Sequence, residues 1–284
     1  MHILNSHKFS TFIISIILVT LFVIPATWPK VKILGYKAIR NLSKYHLNIV
    51  TKEFSELSDE NFVVKFKPIN EESAQIVLEN SNEIMGQVDS FLNYVHHEKI
   101  PVIVYPSMEE LNSSFGWDGD RSPMGVYWMG SIRILTPEAW IDEAENKAII
   151  FKNLGPMAHE YTHLVIDYKT NGNYTRWFTE GVAQYVERKI TGFTLDEPTA
   201  EAKMNLYPFN VLNDTFDDQN DQELAYWQSL VAIDYLVQIK GEGVVNQILA
   251  RLGQGQEFSQ AFQHIVGQDL NTFEINLREY AKAK

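Results

Sequence analysis

The sequence predicts an α+β fold, with a small mixed sheet subdomain first, then a helix pair and a mostly helical C-terminal part. Three observations carry this. Short β-branched and aromatic runs at residues 62–66 and 101–105 flank a segment of helical periodicity. A third such run spans residues 126–135. From residue 138 onward apolar positions recur at helical spacing between Gly and Asn breaks.

The chain opens on a hydrophobic segment. Residues 9–28 carry no charge, and at 1.5 Å per residue a 20-residue helix spans about 30 Å, the thickness of a bilayer core. Residues 1–29 are therefore a signal peptide or an uncleaved anchor. Ile24-Pro25-Ala26 fits the small-x-small cleavage pattern poorly, and Trp28 followed by Lys30 suits an interfacial anchor, so a single retained anchor is expected. Residues 30–52 form a basic juxtamembrane segment. Their apolar positions fit a helical stripe in part, which allows a helix on anionic lipid, a helix packed on the domain, or a linker.

Residues 53–140 are expected to form an α/β part, and 141–284 a helical part. In the first, residues 71–97 read as a helix, with Ile76, Val77, Ile84, Val88, Phe91, Leu92 and Val95 apolar. His96 and His97 end it. Adjacent helical residues point about 100° apart, so an exposed helix end is expected there rather than a metal pair. Residues 107–115 read as a short helix, 116–125 as a loop, and 126–135 as a hairpin or bent strand. Residues 138–153 read as a helix leading into the central pair. The acidic stretch 213–223 lacks the glycine and spacing of a calcium loop and reads as solvated. Helices are expected at 225–240, 244–252, 258–266 and 270–283.

The central pair carries the chemistry. After Gly155-Pro156 comes a helix holding His159, Glu160 and His163. The two histidines are four apart and share one face, where neutral imidazoles can hold one zinc ion. Glu160 can reach a water on that ion without ligating it, which is the H-E-x-x-H pattern. A break at residues 170–173 leads to a second helix, with Thr179 as a candidate N-cap. Glu180 lies 17 residues past His163 and can return over the histidine face as a third ligand. Three protein ligands leave a fourth position open, as catalytic zinc requires. The chain has no Cys, which excludes disulfides and thiolate metal sites.

His159-Glu160-x-x-His163 followed by Trp177-x-x-Glu180-Gly181-x-Ala183-x-Tyr185 resembles the gluzincin zinc peptidases, and among them the bacterial peptidase MA-like domains, loosely over residues 60–284. The resemblance implies a gluzincin-like fold, one zinc per chain on His159, His163 and Glu180, and Glu160 as general base. By the same analogy the Tyr226-x-Gln228-Ser229 stretch makes Tyr226 a candidate oxyanion donor, beside the plainer reading of a tyrosine packed at a helix start. The strand before the motif helix would hold extended peptide by main-chain hydrogen bonds, or serve as an ordinary sheet strand. Thermolysin-type relatives place an Asp four residues after the ligand Glu to orient a histidine; Gln184 stands there, so another residue must do this.

Charge narrows the partners. Residues 1–52 carry +7 and no acid, while the chain as a whole is −12, which puts −19 on residues 53–284. An acidic body argues against nucleic-acid binding, and the basic start suits a membrane surface. The expected function is a zinc-dependent metallopeptidase acting on peptide or protein substrates, and with no exopeptidase motif in the sequence the expectation is an endopeptidase. The alternative is a membrane-tethered zinc-binding or protein-interaction domain without catalysis. The expected location is the cell membrane, by a single N-terminal anchor with the catalytic part outside. The positive-inside rule taken alone points the other way, and secretion after signal-peptide cleavage is the alternative.

Overall fold

The computed structural model describes residues 31–67, 71–117, 123–142 and 145–284. The hydrophobic segment of residues 1–29 lies outside them. Among the described residues, no helix is long and apolar enough to cross a membrane.

The sheet has five strands: β1 (Ser55–Ser58), β2 (Phe62–Phe66), β3 (Ile100–Tyr105), β4 (Gly125–Trp128) and β5 (Ser131–Leu135), in the order β1-β2-β3-β5-β4. β2, β3 and β5 run parallel, and the edge strands β1 and β4 are antiparallel to their neighbours. The fold is thus α+β with a mixed sheet, as expected. Residues 126–135 resolve into a two-residue hairpin whose turn residues, Met129 and Gly130, both have positive φ (45° and 86°). That geometry matches the twist of the flanking strands.

Helices cover both faces of the sheet. Helix α1 spans residues 31–50, so the basic segment is a helix packed on the domain. Its Leu47 joins Ile103, Tyr105 and Leu135 on one face, with Leu111 from α3 (Met108–Ser113). The opposite face, with Phe62, Val64, Val102, Val104, Ile132 and Ile134, belongs to the main core. There α2 (Glu71–Leu92) supplies Val77, Ile84, Val88 and Leu92. That core continues through α4 (Lys147–Leu154), α5 (Met157–Thr170), α6 (Arg176–Thr191), α7 (Ala200–Met204), α8 (Phe209–Asp214), α9 (Gln222–Lys240), α10 (Gly243–Gly253), α11 (Phe258–Val266) and α12 (Leu270–Lys282).

Several boundaries differ from the sequence reading. α2 ends at Leu92, where Asn93 takes a left-handed conformation (φ 48°), so His96 and His97 lie beyond it. His96 is half-buried against Tyr94 and Tyr168 rather than exposed. Burial, helped by Lys44, pushes its pKa down to about 4, so it brings no charge to the helix end at neutral pH. The helix expected from residue 138 starts only at Lys147, because Asn146 caps it by accepting from the Ile149 N–H; a 3-10 turn at Pro137–Ala139 precedes it. α6 starts at Arg176, so Thr179 sits inside its first turn and is not the cap.

Gly181 sets how close α6 and α9 come. A Cβ there would lie 2.2 Å from the Ser229 carbonyl oxygen, so only glycine permits this approach. The contact brings the start of α9, with Tyr226, beside the face of α6 that bears Glu180.

Candidate metal centre

α5 and α6 form an antiparallel pair joined by the turn at residues 171–175, with Asn171 in the left-handed conformation that ends α5. One turn apart on α5, the rings of His159 and His163 meet edge to face at 4.7 Å. α6 returns Glu180 over them. Its Oε2 lies 3.3 Å from His159 Nε2 and 3.5 Å from His163 Nε2. One ligand atom from each residue falls within 4.8 Å of the others, so the three expected ligands converge on one point.

The other nitrogen of each ring is held by α6. His159 Nδ1 lies 3.0 Å from Glu187 Oε2, and His163 Nδ1 lies 2.8 Å from Thr179 Oγ1. In the neutral tautomer that donates Nδ1–H to these acceptors, each Nε2 presents its lone pair to a cation. Glu187 answers the question of what orients His159. It lies seven residues past Glu180, two turns along the same helix face, and helical spacing alone could have proposed it. Gln184 bridges helices instead, donating from Nε2 to the Tyr226 carbonyl at 2.9 Å.

The electrostatics favour a cation. Burial alone would lower the pKa of His159, but Glu180 and Glu187 outweigh it and raise it well above the ordinary value. Burial acts to raise Glu180, yet Arg176 and His163 hold its carboxyl well below the carboxylate range. Arg176 Nη1 sits 2.8 Å from Glu180 Oε1, and Arg176 also pairs with Asp217 at 3.2 Å. The acidic stretch expected to be solvated therefore contributes Asp217 to the site, which the sequence did not signal.

These groups line a cleft of about 670 Å³. Glu160 is on its floor, and its Oε2 accepts the Tyr127 N–H at 2.5 Å. Tyr127 belongs to the edge strand β4, so this N–H faces the cleft and not β5. A Cβ on Gly125 would lie 2.6 Å from Pro156 Cβ and 3.1 Å from Glu160 Cγ, so glycine lets β4 run this close to α5. Tyr226 and Tyr36 also line the cleft. The charge of Glu180, then burial, push the Tyr226 phenol up, so it remains an O–H donor at neutral pH.

Residues 145–283 match the family profile described as the Peptidase MA superfamily. Over those residues, just under half of the chain, the protein is similar to a peptidase MA domain. The matched residues start just before α4 and hold both site helices, while the sheet precedes them, so the match is narrower than the expected 60–284. Among solved structures, the chain is similar to an M1 zinc metallopeptidase from Deinococcus radiodurans, a mutant with a Tyr-Ser-Ala substrate bound. Identity is 13%, the TM-score is 0.38, and the alignment covers 80% of this chain and 51% of that one. The chain thus spans about half the length of that protein. No curated protein matches it.

Proposed function

We propose that this protein is a zinc-dependent metallopeptidase that cleaves extended peptides. The observation that carries the reading is the floor of the cleft: two histidines with oriented Nε2 atoms, a buried glutamate between them, and Glu160 alongside. Tetrahedral zinc, with bonds of about 2.0–2.1 Å, places its ligands about 3.4 Å apart. The Glu180-to-histidine separations of 3.3 and 3.5 Å fit that spacing.

When bound, zinc supplies Lewis acidity and brings the pKa of a water towards ~7. Glu160 takes a proton from the attacking water and delivers it to the leaving amine. The Tyr127 N–H holds Oε2, which leaves Oε1 for this transfer. Tyr226 donates its O–H to the developing oxyanion. The edge strand β4 offers main-chain groups to an extended substrate. We infer endopeptidase action, because the remaining carboxylate lining the cleft among the described residues, Asp217, is engaged by Arg176 and is not free to hold a substrate amine.

The direct test is the zinc content of purified protein beside His163→Ala, with casein cleavage measured in both. About one zinc per chain, lost in the variant together with cleavage, is expected. Zinc without cleavage would leave a binding domain; no zinc after reconstitution would end the reading.

We also infer attachment to a membrane through residues 9–28, with the catalytic part outside. In support, the face of α1 turned away from the domain carries Leu34, Leu42, Tyr45 and Ile49, all exposed, and α1 has no acidic residue. Full-length protein should stay with membranes through an alkaline carbonate wash; release into the wash would refute the anchor.

A further inference from the structure

The least expected feature of the molecule is a buried carboxylate one turn beyond the motif. Asp167 follows His163 by four residues on α5 and is fully buried. It is not a metal ligand candidate, yet it gathers donors from two distant elements. Arg40 Nη1 on α1 lies 2.7 Å from Oδ2, and the two side chains are 6% and 0% exposed. The Tyr36 hydroxyl, also on α1, donates to Oδ1 at 2.5 Å. The Tyr127 hydroxyl on β4 donates to Oδ2 at 2.6 Å. Arg40 is held further by stacking on the Tyr168 ring, 3.8 Å from its centroid.

Tyr127 is the link to the chemistry. Its phenol is fixed at Asp167 and also accepts the Gly130 N–H at 2.9 Å, which pins the β4–β5 turn. Its backbone N–H is the group that holds Glu160. One residue therefore joins the buried carboxylate at its side chain to the candidate base at its main chain. We infer that Asp167, held by Arg40 and Tyr36, is a positioning residue that fixes the edge strand β4 and, through the Tyr127 N–H, aims the Glu160 carboxylate. The N-terminal helix is then part of the working site, although it lies outside the residues that match the family profile.

The physical reason is leverage at an edge. β4 has a sheet neighbour on one side only, and its turn places Met129 in a positive-φ conformation that a non-glycine residue adopts at a cost. Main-chain pairing with β5 holds its inner side. On the cleft side, Tyr127 ties it to Asp167 and Glu160. An ionised acceptor with three charge-assisted or phenolic donors is a strong and directional tie, and it is shielded from water.

The inference rests on the metallopeptidase reading for its consequence, and its test has a readout that does not. Full-length, zinc-loaded protein is compared with Tyr127→Phe, Asp167→Asn and Arg40→Leu. Amide hydrogen exchange is followed over residues 125–130, alongside zinc content and the kinetics of fluorescein-labelled casein cleavage. Tyr127→Phe removes one hydroxyl and keeps the ring and the N–H. It should keep its zinc, exchange about tenfold faster across β4, and lose about 10–100-fold in kcat with a smaller change in KM. Asp167→Asn should show the same pattern, and the double variant with Tyr127→Phe should add little to it. Should Arg40→Leu fail to fold, Tyr36→Phe tests the contribution of α1 in its place. Wild-type exchange over 125–130 in both Tyr127→Phe and Asp167→Asn would overturn the inference and leave Asp167 a fold anchor. If wild-type protein cleaves no casein, the metallopeptidase reading fails, while the exchange result still decides what Asp167 holds.

Discussion

The floor and the wall of the cleft are built in opposite ways. The floor is local: His159, Glu160, His163, Thr179, Glu180 and Glu187 all come from two consecutive helices joined by a short turn. The wall is assembled from afar, since Tyr36 and Arg40 reach Asp167 across 131 and 127 residues and Tyr127 reaches it across 40. A floor of this kind is held by helix periodicity and by the packing of one helix on the next. A wall of this kind depends on the whole domain being folded. The difference separates two functions: metal affinity should follow the floor, and turnover should need both.

The sharpest way to break this division is Glu160→Gln. The side chain is on the floor but is not a ligand candidate, so the variant should keep its metal while cleavage falls about 10²–10⁴-fold. Casein hydrolysis at equal zinc content measures this. Activity near wild type would remove Glu160 from the mechanism and leave the floor a binding site.

The same division explains what could be read from the sequence. The spacing of His159 and His163 is decided by 3.6 residues per turn, so one helix suffices to place them, and Glu180 needed only a tight return. The positions of the strands within residues 62–135 followed from β-branched runs and turn chemistry, whereas the sheet order is known only from the fold. Thr179 was misread because Thr is a common N-cap; its hydroxyl is taken by His163, and the helix starts three residues earlier at Arg176. Asp167 left no signal, because a lone Asp on a helix looks like any solvated acid until its partners on α1 and β4 are known. The same holds for Asp217, whose neighbours suggested a solvated loop until Arg176 was found beside it. Arg40 was equally hidden: a basic residue among lysines reads as surface charge, yet it is buried.

Tyr226 tests whether the third side of the cleft belongs with the floor or with the wall. It comes from α9, and its backbone is tied to α6 through Gln184. If its hydroxyl meets the oxyanion, Tyr226→Phe should lower kcat by about 10²-fold, with KM and zinc content little changed. An unchanged kcat would make Tyr226 a packing residue against Phe216, whose ring it meets edge to face at 5.0 Å.

The smallest effects should come from the residues behind the histidines, and they should be graded by charge. Glu187 offers His159 a carboxylate, whereas Thr179 offers His163 a neutral hydroxyl. A charged acceptor holds an imidazole N–H about twice as strongly as a neutral one, and it also raises the basicity of the ring. Glu187→Gln should therefore weaken zinc binding about 10–100-fold by competition with a chelator. Thr179→Val, which removes only a neutral acceptor, should weaken it less. Both losses should appear in metal affinity first, and turnover should recover when zinc is raised to saturation. That recovery is what sets a floor variant apart from Tyr127→Phe, which should stay slow at any zinc concentration. If Thr179→Val cost more affinity than Glu187→Gln, orientation of His163 would outweigh charge at His159, and the floor would be controlled by geometry more than by electrostatics.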